Sequence, residues 1–173
     1  GCLAGPVFAG AVILNQRKRN SLLNDSKKLS KKSRDELRIW IEKNSLAWAV
    51  GVVNQKEIDE INILNASFLA MHRAIDQLNN SFDSLLIDGN RFTPYKNVQH
   101  HCFIKGDNKY KVIAAASILA KTHRDEYMQK IAVDFPHYDW KNNQGYPTKK
   151  HRAAIFSHGK CEHHRSTFKL LAS

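Results

Sequence analysis

Cysteine is scarce in this 173-residue chain and acidic residues are outnumbered, and each shortage removes a class of protein. The three cysteines, Cys2, Cys102 and Cys161, are odd in number, far apart and free of any CxxC pairing. That pattern suits no disulfide framework, which argues against a secreted scaffold and for a reducing cytoplasm. No apolar run approaches the ~20 residues of a membrane-spanning helix. Gly1 to Leu14 is apolar but has no basic leader before it, so it does not read as a secretory signal. The chain opens on Gly1 rather than Met, straight into this apolar segment, so a trimmed start is expected. Repeats, low-complexity tracts and linkers are absent as well, and one domain spanning residues 1–173 is expected. Against 27 Lys and Arg stand only 16 Asp and Glu, for a formal charge of +11 and a pI of about 9.7. Such an excess favours a polyanionic partner, because each cation placed on a phosphate releases a condensed counterion.

What is present alternates between strands and helices, the mark of an α/β layer architecture. Val7–Leu14 (VFAGAVIL) is a nearly continuous apolar run that suits a strand covered on both faces. A polar, basic loop over residues 22–32 follows, and Ser30 is placed to cap a helix through about Asn44. Leu46–Val53 reads as a second strand. Asn54 with Glu57 has the form of a capping box, ahead of Ile58, Ile61, Leu64, Phe68, Met71, Ile75 and Leu78 at gaps of three or four. Ser84–Asp88 (SLLID) and Cys102–Lys105 (CFIK) are short strand candidates, each ended by a glycine with a polar neighbour. Residues 112–133 predict another helix, with Ala116, Leu119, Ala120, His123, Tyr127 and Ile131 on its inner face. Thr148 is placed to cap a last one ending near Gly159.

Two carboxylates carry the chemistry. Asp88 and Asp107 each follow an apolar strand and sit beside a glycine, at the sheet edge where open α/β sheets bind ligands. Clustered carboxylates are hard oxygen ligands for Mg²⁺ or Mn²⁺, which hold a phosphodiester and activate water. Taken singly, either Asp could merely start a turn. A basic chain gives the pair more weight, because a phosphate substrate needs metal at the scissile group and cations along its backbone. Two-metal sites commonly use three or four carboxylates, so further ligands are needed. Glu57, Asp59 and Glu60 are explained by the dipole at a helix start. The set His100, His101, Cys102, Cys161, His163 and His164 fits no standard zinc spacing. His163, His164 and Arg165 read as part of a basic substrate face or as a cap on the preceding segment. Lys27 and Lys28, in the loop beyond the first strand, are candidate phosphate contacts.

GCLAGPV at Gly1–Val7, NDSKKLS at Asn24–Ser30, EIDEINIL at Glu57–Leu64, LIDGN at Leu86–Asn90 and KGD at Lys105–Asp107 occur in one order. AAASILAK at Ala114–Lys121 with Arg124-Asp125, GYPT at Gly145–Thr148 and EHHR at Glu162–Arg165 complete the series. In these motifs the sequence resembles the ribonuclease HII family from nearly end to end. The resemblance implies a ribonuclease H-like α/β fold, a mixed central β-sheet flanked by helices with a helical C-terminal portion. It also implies a four-carboxylate site in which Asp88 and Asp107 match two members. The other two belong to an Asp-Glu-x-Gly-Arg segment whose final glycine aligns with Gly1. The first strand and that part of the signature are therefore expected upstream, and a chain starting at Gly1 is expected to be impaired.

The activity implied is endonucleolytic hydrolysis of the RNA strand of RNA–DNA hybrids, with cutting 5′ to ribonucleotides embedded in DNA. Two Mn²⁺ or Mg²⁺ ions are implied as cofactors when substrate is bound. Gly1 and Tyr146 are implied substrate contacts, Gly1 at the 2′-hydroxyl and Tyr146 at the sugar on the DNA side of a junction. A cytoplasmic monomer with no membrane partner completes the expectation. The alternative is a catalytically inactive nucleic-acid-binding fragment of the same fold.

Overall fold

A computed structural model describes residues 1–24 and 29–171, so Lys27 and Lys28 lie outside the described residues. Strand β1, Val7–Leu14, pairs with β2, Ser45–Val53. Between them, helix α1 (Lys31–Asn44) starts where the Ser30 hydroxyl accepts the Ser33 N–H at 3.1 Å, as the sequence anticipates. It buries Leu37 and Ile41, one turn apart. Helix α2 (Gln55–Asp76) opens on the expected capping box. Asn54 Oδ1 accepts the Glu57 N–H at 3.0 Å, and Glu57 Oε2 accepts the Asn54 N–H at 2.9 Å.

The periodicity that suggests one uninterrupted amphipathic helix is broken at Asn62, whose φ of 65° and ψ of 165° are not helical. There the Asn62 side chain caps a fresh start, accepting from Leu64 N and Asn65 N at 3.0 and 3.1 Å. Leu64 is consequently 48% exposed instead of lying on the inner face.

Strands β3 (Ser84–Asp88) and β4 (Gln99–Phe103) pair in parallel, from Ser84 opposite Gln99 to Asp88 opposite Phe103. The fourth strand thus ends earlier than the sequence suggests. Ile104 is 64% exposed and Lys105 takes a left-handed φ of 55°, so both belong to the turn and not to a buried strand. Helix α3 (Lys111–Asp134) has the expected extent but another inner side. Ile113, Ala114, Ala115, Ile118, Leu119, Thr122 and Met128 are buried, while Ala116, Ala120, His123 and Tyr127 are only partly covered. A helix packed on more than one side has no single apolar stripe to reveal it. A one-turn α4 (Trp140–Asn143) and α5 (Lys149–His158) complete the chain, with Thr148 capping α5 by accepting the His151 N–H at 3.2 Å.

The chain forms two compact units. One comprises Gly1–Val7, Val53–Ser67 and the chain from His123 onward; the other comprises Phe8–Val52 and Phe68–Thr122. The first unit is centred on Leu3, Ala4, Met128, Tyr138, Trp140 and Ile155. In the second, Leu23, Leu37, Ile41, Ile118 and Leu119 form one cluster and Ile75, Ile87, Phe92 and Tyr95 another. Among the described residues, no helix is long and apolar enough to cross a membrane.

Candidate active site

Asp88 is the last residue of β3, and Asp107 lies on a 3₁₀ turn, Gly106–Asn108, that follows β4. Parallel pairing puts the C-terminal ends of both strands on one edge. The turn closes on Asp88 directly: its Oδ1 accepts the Gly106 N–H at 2.9 Å. Adding one N–Cα bond and one Cα–Cα step places the Asp107 Cα within about 8 Å of that oxygen. The structure therefore brings the two carboxylate-bearing residues together. Gly106 is needed for this approach, because a Cβ there would meet Ile113 Cδ1 at 2.6 Å and Phe103 Cβ at 3.2 Å.

The two carboxylates differ in exposure: Asp88 faces solvent, whereas Asp107 is 3% exposed just ahead of α3, whose amino end favours negative charge. Oxygen donors of this kind fit Mg²⁺ or Mn²⁺ and not a soft metal. Among the described residues, no group of three or more His, Cys, Asp and Glu is placed to hold an ion. Asp88 also borders a cavity of about 610 Å³ lined by β1, β3, Met71, Phe82 and Ala116. Among the described residues, β1 pairs with β2 and β3 with β4.

In the other unit, the residues that follow Gly1 meet the Tyr146 segment. Leu3 N–H donates to the Gly145 carbonyl at 2.7 Å, and Cys2 sits against the Tyr146 hydroxyl. The nearby Cys2 sulfur, then burial, push the Tyr146 phenol above its ordinary pKa against the pull of Arg124. The tyrosine ring nevertheless remains 48% exposed.

Around it lie anchors that the motifs name but whose structural role the sequence leaves unassigned. Arg124 donates to the carbonyls of Ala4 (3.2 Å), Pro6 (3.3 Å) and Gln144 (2.9 Å). Arg165, 3% exposed, donates to the Gly5 carbonyl at 2.9 Å. Arg165 and His164 are therefore not part of a basic substrate face, because backbone carbonyls and aromatic rings enclose them. Besides its place in the family pattern, Arg124 carries a local signal, since it sits a turn before buried Met128, where an apolar residue would be ordinary.

Burial, and then His151, lower the His164 pKa to about 4; burial lowers His151 too. Unfolded histidine titrates near 6.5, so stability is full above that pH. As pH falls from about 6.5 to about 4, His164 takes up a proton in the unfolded chain but not in the folded one, and up to about 3 kcal/mol is lost. Asp59 and Asp76, held below 3.8 chiefly by hydrogen bonds to Thr167 and Tyr95, contribute only in a lower window. Urea titrations at pH 7 and 4.5 should show this loss, and His164→Gln should reduce the difference. An equal difference in both proteins would contradict it.

The model of the family described as Ribonuclease HII matches residues 1–171. The chain belongs to the ribonuclease HII family. This is a family of endoribonucleases, and a Bacteroides thetaiotaomicron ribonuclease HII is 63% identical over 171 residues, covering 99% of this chain and 86% of that protein. The ribonuclease H2 of Pyrococcus horikoshii shares the fold with a TM-score of 0.82 at 21% identity, covering 98% of this chain and 90% of the other. Bst-RNase HIII, solved in complex with Mn²⁺, superposes with a TM-score of 0.77 at 16% identity, covering 98% of this chain and 64% of that one. The ribonuclease H-like fold expected from the motifs is thus established, as is the family itself.

Proposed function

We propose that this member of the ribonuclease HII family is a divalent-metal-dependent endonuclease that cuts RNA in RNA–DNA hybrids and cuts 5′ to ribonucleotides embedded in DNA. The observation that carries this reading is the closure of the Gly106–Asn108 turn on Asp88, which gathers Asp88 and Asp107 at one strand-end edge. Divalent ions held there supply Lewis-acid polarisation of the phosphodiester. The part of the chain is positional: the Gly106 N–H fixes the Asp88 carboxylate, and the exposed Tyr146 ring offers a face to a sugar. Water adds to phosphorus and the bond to the 3′ oxygen breaks, leaving a 3′-hydroxyl and a 5′-phosphate. A charge of +11 favours the polyanionic duplex, and a cytoplasmic setting agrees with three free cysteines.

The remaining acidic ligands belong, in this reading, to an Asp-Glu-bearing strand upstream of Gly1. What supports such a strand is that, among the described residues, β1 is paired with β2 and β3 with β4 while both line one apolar cavity, since open edges beside an apolar slot are otherwise a liability. The test is cleavage of a DNA duplex carrying one ribonucleotide, by this chain and by one extended upstream with the Asp-Glu-x-Gly-Arg segment. The extended chain should cut 5′ to the ribonucleotide, lose at least about a hundredfold in EDTA, and recover with Mn²⁺ or Mg²⁺. Equal cleavage by both chains would refute the division of ligands, and metal-independent cleavage would refute the mechanism.

A further inference from the structure

The EHHR motif and the helix that follows GYPT contain histidines that the nuclease reading leaves without a task. His151 and His164 are 0% and 2% exposed, and they meet Nε2 to Nε2 at 3.2 Å. Their partners fix where the protons lie. A carbonyl only accepts, so His151 Nδ1 donates to the Tyr146 oxygen at 2.9 Å, and a neutral His151 then has a bare Nε2. That nitrogen accepts the Trp140 indole N–H at 2.9 Å. His164 Nδ1 accepts the Cys161 N–H at 3.0 Å, which leaves its proton on Nε2, directed at His151. With both rings neutral, the Trp140 and His164 N–H groups share the single lone pair of His151 Nε2, and burial disfavours a charged ring at either position.

The segment these rings meet has an unusual backbone. Gln144 and Gly145 take left-handed φ values of 50° and 82° just before Tyr146. Three successive carbonyls there are held by three separate parts of the same unit: Gln144 by Arg124, Gly145 by the Leu3 N–H, and Tyr146 by His151, the last also accepting the local Thr148 N–H at 2.8 Å. Such a conformation persists where the surroundings over-determine it. An apolar pair of similar volume would fill the core and avoid burying polar rings, but would leave the third carbonyl without its side-chain anchor.

We infer that His151 and His164 are positioning residues for Tyr146: a buried pair of neutral rings that fixes the main chain from which the Tyr146 ring projects toward substrate. The inference rests on the reading of Tyr146 as the contact to the sugar at an RNA–DNA junction, and its test separates the two.

His151→Leu removes the anchor, whereas His151→Asn offers an amide N–H near the position of Nδ1. Amide hydrogen exchange over residues 144–148 reads the backbone directly. Cleavage by the extended chain of a single-ribonucleotide duplex against an all-RNA hybrid reads junction preference, with Tyr146→Ala as reference. His151→Leu should speed exchange about tenfold and lower the preference at least about fivefold, toward the Tyr146→Ala value. His151→Asn should hold both within about twofold. If His151→Leu does not fold, His164→Gln against His164→Met repeats the comparison, because only glutamine can still donate to His151.

Native exchange and preference in a folded His151→Leu overturn the inference, as does an equal loss in His151→Asn. Should Tyr146→Ala keep full junction preference, the reading of Tyr146 fails, and the substrate-directed role inferred for the histidines fails with it. Faster exchange in His151→Leu with unchanged preference, while Tyr146→Ala loses it, overturns the positioning role alone.

Discussion

Asp88→Asn in the extended chain is expected to slow hybrid cleavage by at least about a thousandfold while leaving hybrid binding within about threefold, because a neutral amide is a poor ligand for a hard cation. The substitution is unusually clean here. Asparagine keeps an Oδ1 acceptor for the Gly106 N–H, now 2.9 Å away, so the turn that carries Asp107 stays closed. Only the charge is removed. Asp88 is also exposed, so no buried ion is left without a partner. Single-turnover rates in Mn²⁺ and in Mg²⁺, with binding measured by fluorescence anisotropy in Ca²⁺, separate chemistry from affinity. Ordinary turnover in either activating ion would remove Asp88 from the metal site. A parallel loss of binding and rate would instead make it a substrate contact.

Asp88 was legible because a short apolar run stops at a carboxylate followed by glycine, and the strand is where that pattern puts it. Asp107 carried a looser signal, an apolar run followed by Gly-Asp, and the local argument was incomplete: β4 ends at Phe103 and the residue sits on a 3₁₀ turn. The three helix caps at Ser30, Asn54 and Thr148 were readable because capping is a contact between residues three apart. Asn62 defeated periodicity, since a side chain that restarts a helix leaves the spacing of its apolar residues almost unchanged. The motifs name the anchors Arg124 and Arg165 but not what they hold. Arg124 reaches carbonyls 20, 118 and 120 positions away and Arg165 carbonyls 159 and 160 away, and a backbone oxygen has no residue type by which a sequence could announce it. His151 and His164 lie only 13 positions apart, but their pairing depends on Trp140 and Cys161 presenting donors from two other segments.

Gly51→Ala should destabilise the chain by about 2–4 kcal/mol, lowering the melting temperature by roughly 4–16 °C, because the added methyl has nowhere to go. Gly51 lies in β2, and a Cβ there would collide with the Ala70 carbonyl oxygen and lie 2.5 Å from Ala74 N. Both obstacles are helix backbone. Side-chain hydrogen bonds on either side of the glycine tie α2 to the strand. Arg73 donates to the Val52 carbonyl at 2.8 Å, and Gln77 donates to the Val50 carbonyl at 3.2 Å. To make room the helix must withdraw, and these bonds lengthen as it does. Thermal unfolding of Gly51→Ala checks the size of the effect, and the double variant with Ala70→Gly checks its origin. Removing the Ala70 methyl should restore almost nothing, because the steric obstacle at that residue is its carbonyl. Substantial rescue would show that side chains, not main chain, set how closely α2 lies on β2.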